Sequence, residues 1–399
     1  MQSILKSLNN LERITLTFTL PPANIWVVTM EWTYLVLISA ALWFGILVLP
    51  WRPWGTGEVL DADIPSFDED LSDITVVIPA RNEAGLIAAT LSTLETQGKR
   101  LKVILVDDQS TDGTPQIARR TMSRNLRIVS GKPLPAGWTG KLWAVEQGFS
   151  HVQTPLTLLL DADIELKPGI LVALRKKMAE EGIQFISLMA ALRMKNFSER
   201  LLMPAFIYFF KLLYPFSLSN SSSSGVAAAA GGCILLETRL PDAIGGFQAL
   251  RGELIDDCAL AKRVKARGFR TWVGITHSAR SLRPYDHPRA IWNMVARSAF
   301  TQLRYSFFLL LLCTVLMITA FWLPVAGLFF PSTTARAVSV ASLGAMVLSY
   351  LPTLTFYGVP KIFAAAMPLI GTLYLAMTWT SAIRFWRKEG AEWKGRFYR

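Results

Sequence analysis

The chain has 399 residues, 52% of them hydrophobic and only 18% charged, and its 41 basic and 29 acidic side chains give a net charge of +12. This apolar excess is concentrated in long runs, which predicts membrane spans, and the basic residues beside those runs favour anionic lipid and phosphorylated substrates over nucleic acid as partners. Three cysteines without CxxC spacing argue against a disulfide framework or a structural zinc site and fit a reducing compartment.

The first long apolar run follows a mixed lead at residues 1–31, in which Met30 is an alternative start. Residues 32–51 carry no charge and have tryptophan at both ends, so we predict a transmembrane helix. A secretory signal peptide is the alternative, but Pro-Trp-Arg-Pro-Trp stands where small residues would mark a cleavage site. Residues 52–73 are an acidic, proline-containing linker.

From residue 74, short β-branched runs alternate with helical patterns. This alternation predicts an α/β domain of Rossmann-like type, with a parallel sheet covered by helices on both faces. We place this domain at residues 74–300, between the N-terminal helix and a C-terminal membrane region at 301–384. A strongly basic tail follows at 385–399.

Several apolar segments in the second half are candidates for membrane contact. Residues 200–218 contain Lys211 and two prolines, so we predict an interfacial or membrane-facing helix, with a transmembrane span as the alternative. Two to three C-terminal spans are expected, at 306–330, 336–357 and 361–383. The positive-inside rule places the basic tail in the cytoplasm, which requires one of these segments to be re-entrant, and prolines favour the last two.

Polar residues follow the first two predicted strands. Arg81 and Glu83 in VVIPARNEAG lie where the first strand meets a helix, the edge at which open α/β sheets bind ligands. Asp108 in VDDQSTDGT ends the second strand, and a carboxylate there binds a ribose hydroxyl or a base N–H. The alternative, a turn stabilised by its own aspartates, stays open.

The fourth strand ends in LLLDADIEL. Because side chains two apart on a strand point the same way, Asp161 and Asp163 are expected to converge just past the sheet edge. Two hard oxygen ligands suit Mg²⁺ or Mn²⁺ bridging a diphosphate that supplies the remaining oxygens. A polar strand terminus without a ligand is the alternative.

Two further stretches have the composition of a site. Asp256 and Asp257 begin a helix in ELIDDCALAKRV, where they either cap the helix or supply a general base. Upstream, Gly231 and Gly232 permit close backbone approach to a ligand.

The stretch PLPAGWTGKLWA at 133–144 is unusually stiff and aromatic for a loop. Pro135 and Gly137 would fix it at the ligand edge, where Lys141 can reach a diphosphate or the metal-site carboxylates. Trp138 would either pack on a sugar or acceptor, or anchor the loop in the core, and we favour the anchor.

The order of these motifs, VVIPARNE, VDDQSTDGT, GK, DAD, GG and then DD before AL, resembles the family 2 glycosyltransferases, which are inverting enzymes of GT-A fold, over residues 74–300. The resemblance implies a nucleotide-sugar donor, for which we expect a UDP-sugar, and a divalent ion. It implies a nucleotide pocket at Pro79, Arg81, Glu83 and Asp108, with Lys141 and Asp161 beside it; metal ligands Asp161 and Asp163; and Asp257 as the base, with Asp256 where glutamate is usual.

A loose counterpart of the QxxRW motif, RSAFTQLRYS, lacks the tryptophan, which argues against a polysaccharide synthase. PLPAGWTGKLWA, YFFKLLYPF and AAAAGGCILL resemble the hopanoid-biosynthesis-associated glycosyltransferases, which implies a lipid acceptor and a multi-pass protein of a bacterial-type inner membrane with its catalytic domain in the cytoplasm. A polyprenyl-phosphate glycosyltransferase is the alternative enzyme. A non-catalytic nucleotide-sugar-binding module and a transporter are the alternatives from other classes, and the nearly charge-free spans argue against the transporter.

Overall fold

The computed structural model describes residues 23–62, 67–389, 391–393 and 396–398, with side chains from residue 32 to residue 389. The predicted lead at 1–31 and part of the predicted tail therefore lie outside the described residues or side chains.

An eight-stranded sheet forms the core of the globular part. Its strands follow the apolar runs of the sequence, and β1 is buried along its whole length. The strands are β1 Ile74–Ala80, β2 Lys102–Asp107, β3 Leu126–Ser130, β4 Leu156–Leu160, β5 Ile164–Leu166, β6 Phe185–Ala191, β7 Cys233–Glu237 and β8 Thr271–Ser281.

Helices cover both faces of this sheet and form an apolar C-terminal region. They are α1 Ala23–Val48, α2 Ile87–Glu95, α3 Thr114–Thr121, α4 Gly140–Phe149, α5 Ile170–Glu181, α6 Phe197–Leu213, α7 Phe216–Asn220, α8 Leu240–Ala243, α9 Asp256–Ala266, α10 Pro288–Ala296, α11 Ala299–Gln302, α12 Phe307–Met317, α13 Leu323–Gly327, α14 Thr333–Phe356 and α15 Met367–Trp386. A short hairpin, β9 Ala391–Trp393 and β10 Arg396–Tyr398, follows α15.

The sheet is mixed, in the order β3-β2-β1-β4-β7-β6-β8-β5. The first four strands in this order are parallel, as expected, but β7 runs antiparallel to both β4 and β6, and β5 runs antiparallel to β8. The prediction of a parallel sheet was therefore wrong for β7 and β5, whereas β6 and β8 pair in parallel. The reason is that the chain enters β7 from the loop before Gly231, at the edge where β4 ends.

The acidic linker is attached to the sheet for part of its length. Leu60 N donates to Ile275 O at 3.2 Å and Ile275 N donates to Glu58 O at 2.8 Å, so the linker extends the sheet beside β8. Asp61 accepts hydrogen bonds from the Thr276 hydroxyl at 2.7 Å and the His277 backbone N–H at 2.6 Å. The His277 ring in turn contacts the Phe356 carbonyl at the end of α14, with Nε2 and O 2.8 Å apart. Linker, sheet and α14 therefore meet at one joint.

Three C-terminal helical segments are long and apolar enough to cross a membrane: Phe307–Gly327, Thr333–Phe356 and Lys361–Trp386. The first contains a π-helical turn between α12 and α13, and the last begins with a 3-10 turn. The re-entrant segment and the domain boundaries stay predictions. Helix α1 packs along α14. The Trp43 indole of α1, 1% exposed, donates to the Ala320 carbonyl at 2.7 Å.

Helix α6, the predicted interfacial segment, joins the two halves of the molecule. The Tyr374 hydroxyl of α15 donates to the Leu202 carbonyl of α6 at 2.8 Å. The Tyr208 hydroxyl of α6 lies 2.7 Å from the Ser349 hydroxyl of α14. The Lys211 ammonium is buried, donates to the Gly55 carbonyl of the linker, and has its pKa lowered by burial to about 8. One cluster of apolar side chains therefore spans α6 and the C-terminal helices.

Candidate functional site

A cleft opens at the carboxyl ends of β1 and β4. Strand ends of this kind are where open α/β sheets bind ligands. Pro79 lies at the β1 end of the cleft and Asp161 just after β4. Residues from β4, α4, the glycine loop, β7, the 3-10 turn Phe247–Leu250 and α9 complete the lining: Lys141, Leu142, Val145, Leu159, Leu160, Gly231, Ile234, Phe247, Leu250, Asp256, Asp257 and Leu260.

Lys141 is the positive charge at the centre of this cleft. It lies in the first turn of α4, and its Nζ pairs with Asp161 Oδ1 at 2.6 Å and donates to the Gly231 carbonyl at 3.1 Å. Burial acts to lower the pKa of Lys141, but the charges of Asp161, Asp256 and Asp257 outweigh burial and raise it. Lys141 is therefore a fixed cation among carboxylates.

Asp257 is the carboxylate best placed to accept a proton. It lies in the first turn of α9, where its Oδ1 accepts a hydrogen bond from Cys258 N at 2.8 Å. Burial, together with the neighbouring charge of Asp256, raises the pKa of Asp257 to about 6, although Lys141 acts against this. A carboxylate with a pKa of about 6 is ionised at neutral pH and basic enough to take a proton.

At Gly231 the backbone comes into contact with the side chains of Lys141 and Asp257. A Cβ at this position would lie 3.0 Å from Lys141 Nζ and 3.1 Å from Asp257 Oδ2. Gly232 lies against Ile164 and the Asp161 carboxylate, and its carbonyl accepts a hydrogen bond from Asp161 N at 3.0 Å. The absence of side chains here lets the lysine, the aspartates and the strand meet.

Sequence reasoning missed Arg283, which follows β8. Its Nη2 pairs with Glu83 Oε1 at 2.6 Å and its Nε pairs with Asp163 Oδ2 at 3.1 Å. Ser281 also donates to Asp163 Oδ2, at 3.0 Å. The pairing of β5 with β8 carries Arg283 to this edge. Since that pairing joins distant parts of the chain, no local pattern in the sequence indicated it.

The motif that follows β1, VVIPARNEAG, contacts the motif that follows β2, VDDQSTDGT. Arg81 Nη1 donates to the Asp108 carbonyl at 2.6 Å and to the Gln109 carbonyl at 3.2 Å. Asn82 N donates to Ser110 Oγ at 3.0 Å, and Asp108 is fully buried. Arg81, Glu83 and Asp108 therefore lie together at the ends of β1 and β2, and their role in a nucleotide pocket stays a prediction.

The stiff loop before α4 is anchored in the protein. Trp138 is 9% exposed, and its ring lies 5.1 Å from that of Trp143 within an apolar cluster. Gly137 has a φ of +78°, and the Arg251 guanidinium donates to the Ala136 carbonyl beside it. This burial fits an anchor better than a ring that stacks on a sugar.

The carboxylates of Asp161 and Asp163 supply the hard oxygen donors that Mg²⁺ and Mn²⁺ prefer. Within the residues that the structure describes, no group of three or more metal-ligating side chains converges. One oxygen of each aspartate also carries a cationic partner, Lys141 or Arg283. The donor set therefore fits a divalent ion that takes most of its oxygens from a diphosphate.

Comparison with known proteins gives a family match over part of the chain. Residues 75–240 are similar to the family described as Glycosyl transferase family 2. This segment holds the β1 and β2 motifs, Lys141, the two DAD aspartates and the glycine pair. The fold is of GT-A type, and three apolar C-terminal helices follow it.

Two curated relatives are similar over part of the chain. A 4,4'-diaponeurosporenoate glycosyltransferase of Staphylococcus haemolyticus is 36% identical over 98 residues, which is 25% of this chain and 26% of the relative. An undecaprenyl-phosphate 4-deoxy-4-formamido-L-arabinose transferase of Shewanella sediminis is 28% identical over 175 residues, 42% of this chain and 48% of the relative. The matches thus span less than half of each relative.

One solved structure is similar over most of the chain. The mannosyltransferase PcManGT of Pyrobaculum calidifontis, in complex with GDP-Man and Mn²⁺, superposes with a TM-score of 0.51 and 18% identity, covering 90% of this chain and 99% of that one. At this identity the likeness confirms the predicted fold.

Proposed function

We propose that the protein transfers a sugar from a nucleotide-sugar donor to a lipid acceptor at the membrane surface, with inversion at the anomeric carbon. The observation that carries this proposal is the cleft itself, where a half-buried lysine, the first DAD aspartate and a basic carboxylate lie at the strand ends. A site with these three components has the groups that a single displacement needs.

Asp257 is the base in this proposal. It takes the proton from an acceptor hydroxyl while the acceptor oxygen forms a bond to the anomeric carbon. The bond from that carbon to the donor phosphate breaks at the same time, and the nucleoside diphosphate leaves with the bonding electron pair. Lys141 lies between Asp161 and Asp257, where its fixed charge stabilises the negative charge that develops on the leaving diphosphate.

Asp161 and Asp163 would hold Mg²⁺ or Mn²⁺ together with the donor diphosphate. When bound, such an ion would supply the positive charge that stabilises a departing diphosphate. Arg81, Glu83, Pro79 and Asp108 stand beside it at the strand ends and would bind the nucleotide, for which we propose a UDP-sugar.

The acceptor side faces the membrane helices. Tyr214, which follows α6, donates a hydrogen bond to Gln302 at 2.6 Å, and burial raises its pKa, with a smaller contribution from the charge of Asp257. Because α6 packs against α14 and α15, a lipid lying along these helices would bring its headgroup to Asp257. An isoprenoid alcohol such as a hopanoid is the acceptor that we propose, with the catalytic domain on the cytoplasmic face of a multi-pass inner-membrane protein.

A single substitution tests the base. Purified protein is incubated with membrane lipid extract and radiolabelled nucleotide sugars, with Mn²⁺ present, and the labelled lipid is identified. We expect Asp257→Asn to lose at least about 100-fold in transfer because general base catalysis contributes that much, while donor binding is retained. Asp242→Asn, the same change at an exposed site on α8, is the matched control. Transfer by Asp257→Asn at the wild-type rate would show that the base is wrong.

A polyprenyl phosphate is the second candidate acceptor, favoured by the undecaprenyl-phosphate relative. Its phosphate oxygen is already anionic at neutral pH, so a general base is not needed. The same variant separates the two candidates. Asp257→Asn should lose transfer to an isoprenoid alcohol but keep most of its transfer to undecaprenyl phosphate, if that is the acceptor.

A further inference from the structure

Arg283 joins two acidic side chains that are almost enclosed by protein. The side chains of Glu83 and Asp163 are 8% and 10% exposed, and the guanidinium between them is 31% exposed. Both carboxylates belong to motifs that we assign to donor and metal binding. A buried carboxylate without a cationic partner is unfavourable, so Arg283 serves as counter-ion to both.

The backbone around Arg283 is fixed on both sides. Leu282 N donates to the Asp163 carbonyl at 2.8 Å, and Tyr285 N donates to Glu199 Oε1 at 3.0 Å. Glu199 is fully buried and closes a capping box with Asn196 at the start of α6. The guanidinium can therefore exchange partners by side-chain rotation, but it cannot leave the site by loop displacement without breaking these contacts.

A divalent ion and the guanidinium compete for the same carboxylate. Asp163 Oδ2 already accepts from Arg283 Nε and from the Ser281 hydroxyl. An ion bound at Asp163 would bring two further positive charges beside Arg283, and their repulsion favours rotation of the guanidinium away from that oxygen.

We propose that Arg283 is a positioning residue that neutralises Asp163 and Glu83 while no donor is bound, and that it turns to the donor diphosphate when a divalent ion takes Asp163. This inference rests on the proposed function, because it needs a diphosphate at this site. The planar guanidinium fork suits phosphate oxygens, and the fixed backbone keeps it within reach of them.

The proposal predicts changes of opposite sign in two binding measurements. Full-length protein in detergent is titrated with Mn²⁺ alone, and then with UDP or GDP at saturating Mn²⁺, by calorimetry. Arg283→Gln removes the competing cation, so Mn²⁺ alone should bind at least about threefold more tightly. It also removes a charged phosphate contact, so the nucleoside diphosphate should bind roughly tenfold more weakly.

Two further variants complete the experiment. Arg280→Gln makes the same change at an exposed position on β8, and should alter neither affinity. Arg283→Lys keeps the charge but lacks the fork, so Mn²⁺ alone should bind with nearly the wild-type affinity while the nucleoside diphosphate binds more weakly; it stands in for the glutamine variant if that protein does not fold. Unchanged or weaker Mn²⁺ binding in folded Arg283→Gln, or unchanged nucleoside diphosphate binding in Arg283→Lys, would overturn the proposal.

The outcome is separable from that of the proposed function. The Mn²⁺ titration contains neither sugar nor acceptor, so it reports on Arg283 even where no sugar transfer is found. Loss of the proposed function would appear instead as wild-type protein that transfers no sugar from any nucleotide donor.

Discussion

The charge of Lys141 and the basicity of Asp257 depend on each other. Lys141 is surrounded by Asp161, Asp256 and Asp257, and its charge lowers the pKa of Asp257 against the effects of burial and of Asp256. One cation therefore serves both halves of the proposed reaction, since it neutralises the donor side and keeps the base ionised near neutral pH.

The pKa of Asp257 predicts the pH dependence of transfer. The raised value of about 6 means that the carboxylate is protonated, and unable to act as a base, as the pH falls through 6. We expect kcat/KM to be level above this pH and to fall about tenfold per pH unit below it. The titratable and charged groups that face Asp257 are Asp256, Lys141, Cys258 and Tyr214.

The neutral variant Lys141→Met tests the cause of the fall in kcat/KM at low pH, which is the acid limb of the pH profile. Without the lysine charge, the pKa of Asp257 should rise and the acid limb should move to higher pH, while donor binding weakens. Lys262→Met, an exposed change on α9, should leave the limb in place. A limb that stays near pH 6 in Lys141→Met would contradict the coupling.

At the scale of single residues, part of the site was predictable because the positions of those residues follow from the sequence next to them. Asp161 and Asp163 follow a strand, and Lys141 follows a glycine at a helix start, so each was expected at the ligand edge. Arg283 was not, because its place depends on the pairing of β5 with β8, which are far apart in sequence. The burial of Trp138 also follows from distant contacts.

At the scale of the elements, two glycines show how backbone approach shapes the site. Gly148 of α4 lies against the sheet, where a Cβ would be 2.6 Å from Val77 Cγ1 and 2.8 Å from Val106 Cγ2. Gly231 lies against the ends of flexible polar side chains. The first glycine therefore permits helix-on-sheet packing, and the second permits the charged cluster.

Alanine at these glycines should separate stability from activity. Gly148→Ala crowds rigid branched side chains, and we expect it to destabilise the fold by about 1–3 kcal/mol. Gly231→Ala displaces Lys141 and Asp257, so transfer should fall at least about tenfold with little change in melting temperature. Thermal melts and transfer rates of the two purified variants check this. The reverse pattern would show that Gly231 is structural.

Strand and helix order was predictable from the sequence, but strand direction was not. The apolar runs for β1, β2 and β4 identified these strands because each is buried on both faces, whereas the edge strand β3 is only half-buried. The direction of β7 depends on how the chain between α6 and Gly231 crosses the sheet, and that segment is poor in periodic pattern. Composition alone likewise did not reveal that part of the linker pairs with β8.

For the whole molecule, the joint formed by Asp61, His277 and Phe356 connects the globular part to α14. The stacked rings of His277 and Phe356 have centroids 4.0 Å apart. Hydrogen bonds from Thr276, His277 and Ser278 lower the pKa of Asp61, although burial acts to raise it. The ionised carboxylate is therefore favoured in the folded protein.

Asp61→Asn should weaken this joint in a pH-dependent way. Because its folded-state pKa is below the ordinary value of 3.8, the carboxylate stabilises the fold above that pH, and the contribution is lost as the pH falls through the folded-state pKa. Because solvent partly screens Asp61, we expect the substitution to lower the free energy of unfolding by about 1 kcal/mol at pH 7. The difference in melting temperature between the wild type and Asp61→Asn should be smaller at pH 3.5 than at pH 7. Asp68→Asn, at an exposed ion pair, should leave the melting temperature unchanged at both pH values.

The pairing of α1 with α14 also has a consequence for biosynthesis. Helix α1 leaves the ribosome before the whole α/β domain, while α14 and the Ala320 carbonyl that receives the Trp43 indole are made only afterwards. At ordinary translation rates this delay is on the order of tens of seconds. During that time α1 lacks the partners against which it packs in the folded protein. The contacts of α1 and α6 with the C-terminal helices therefore form only after the sheet that carries the cleft has been synthesised.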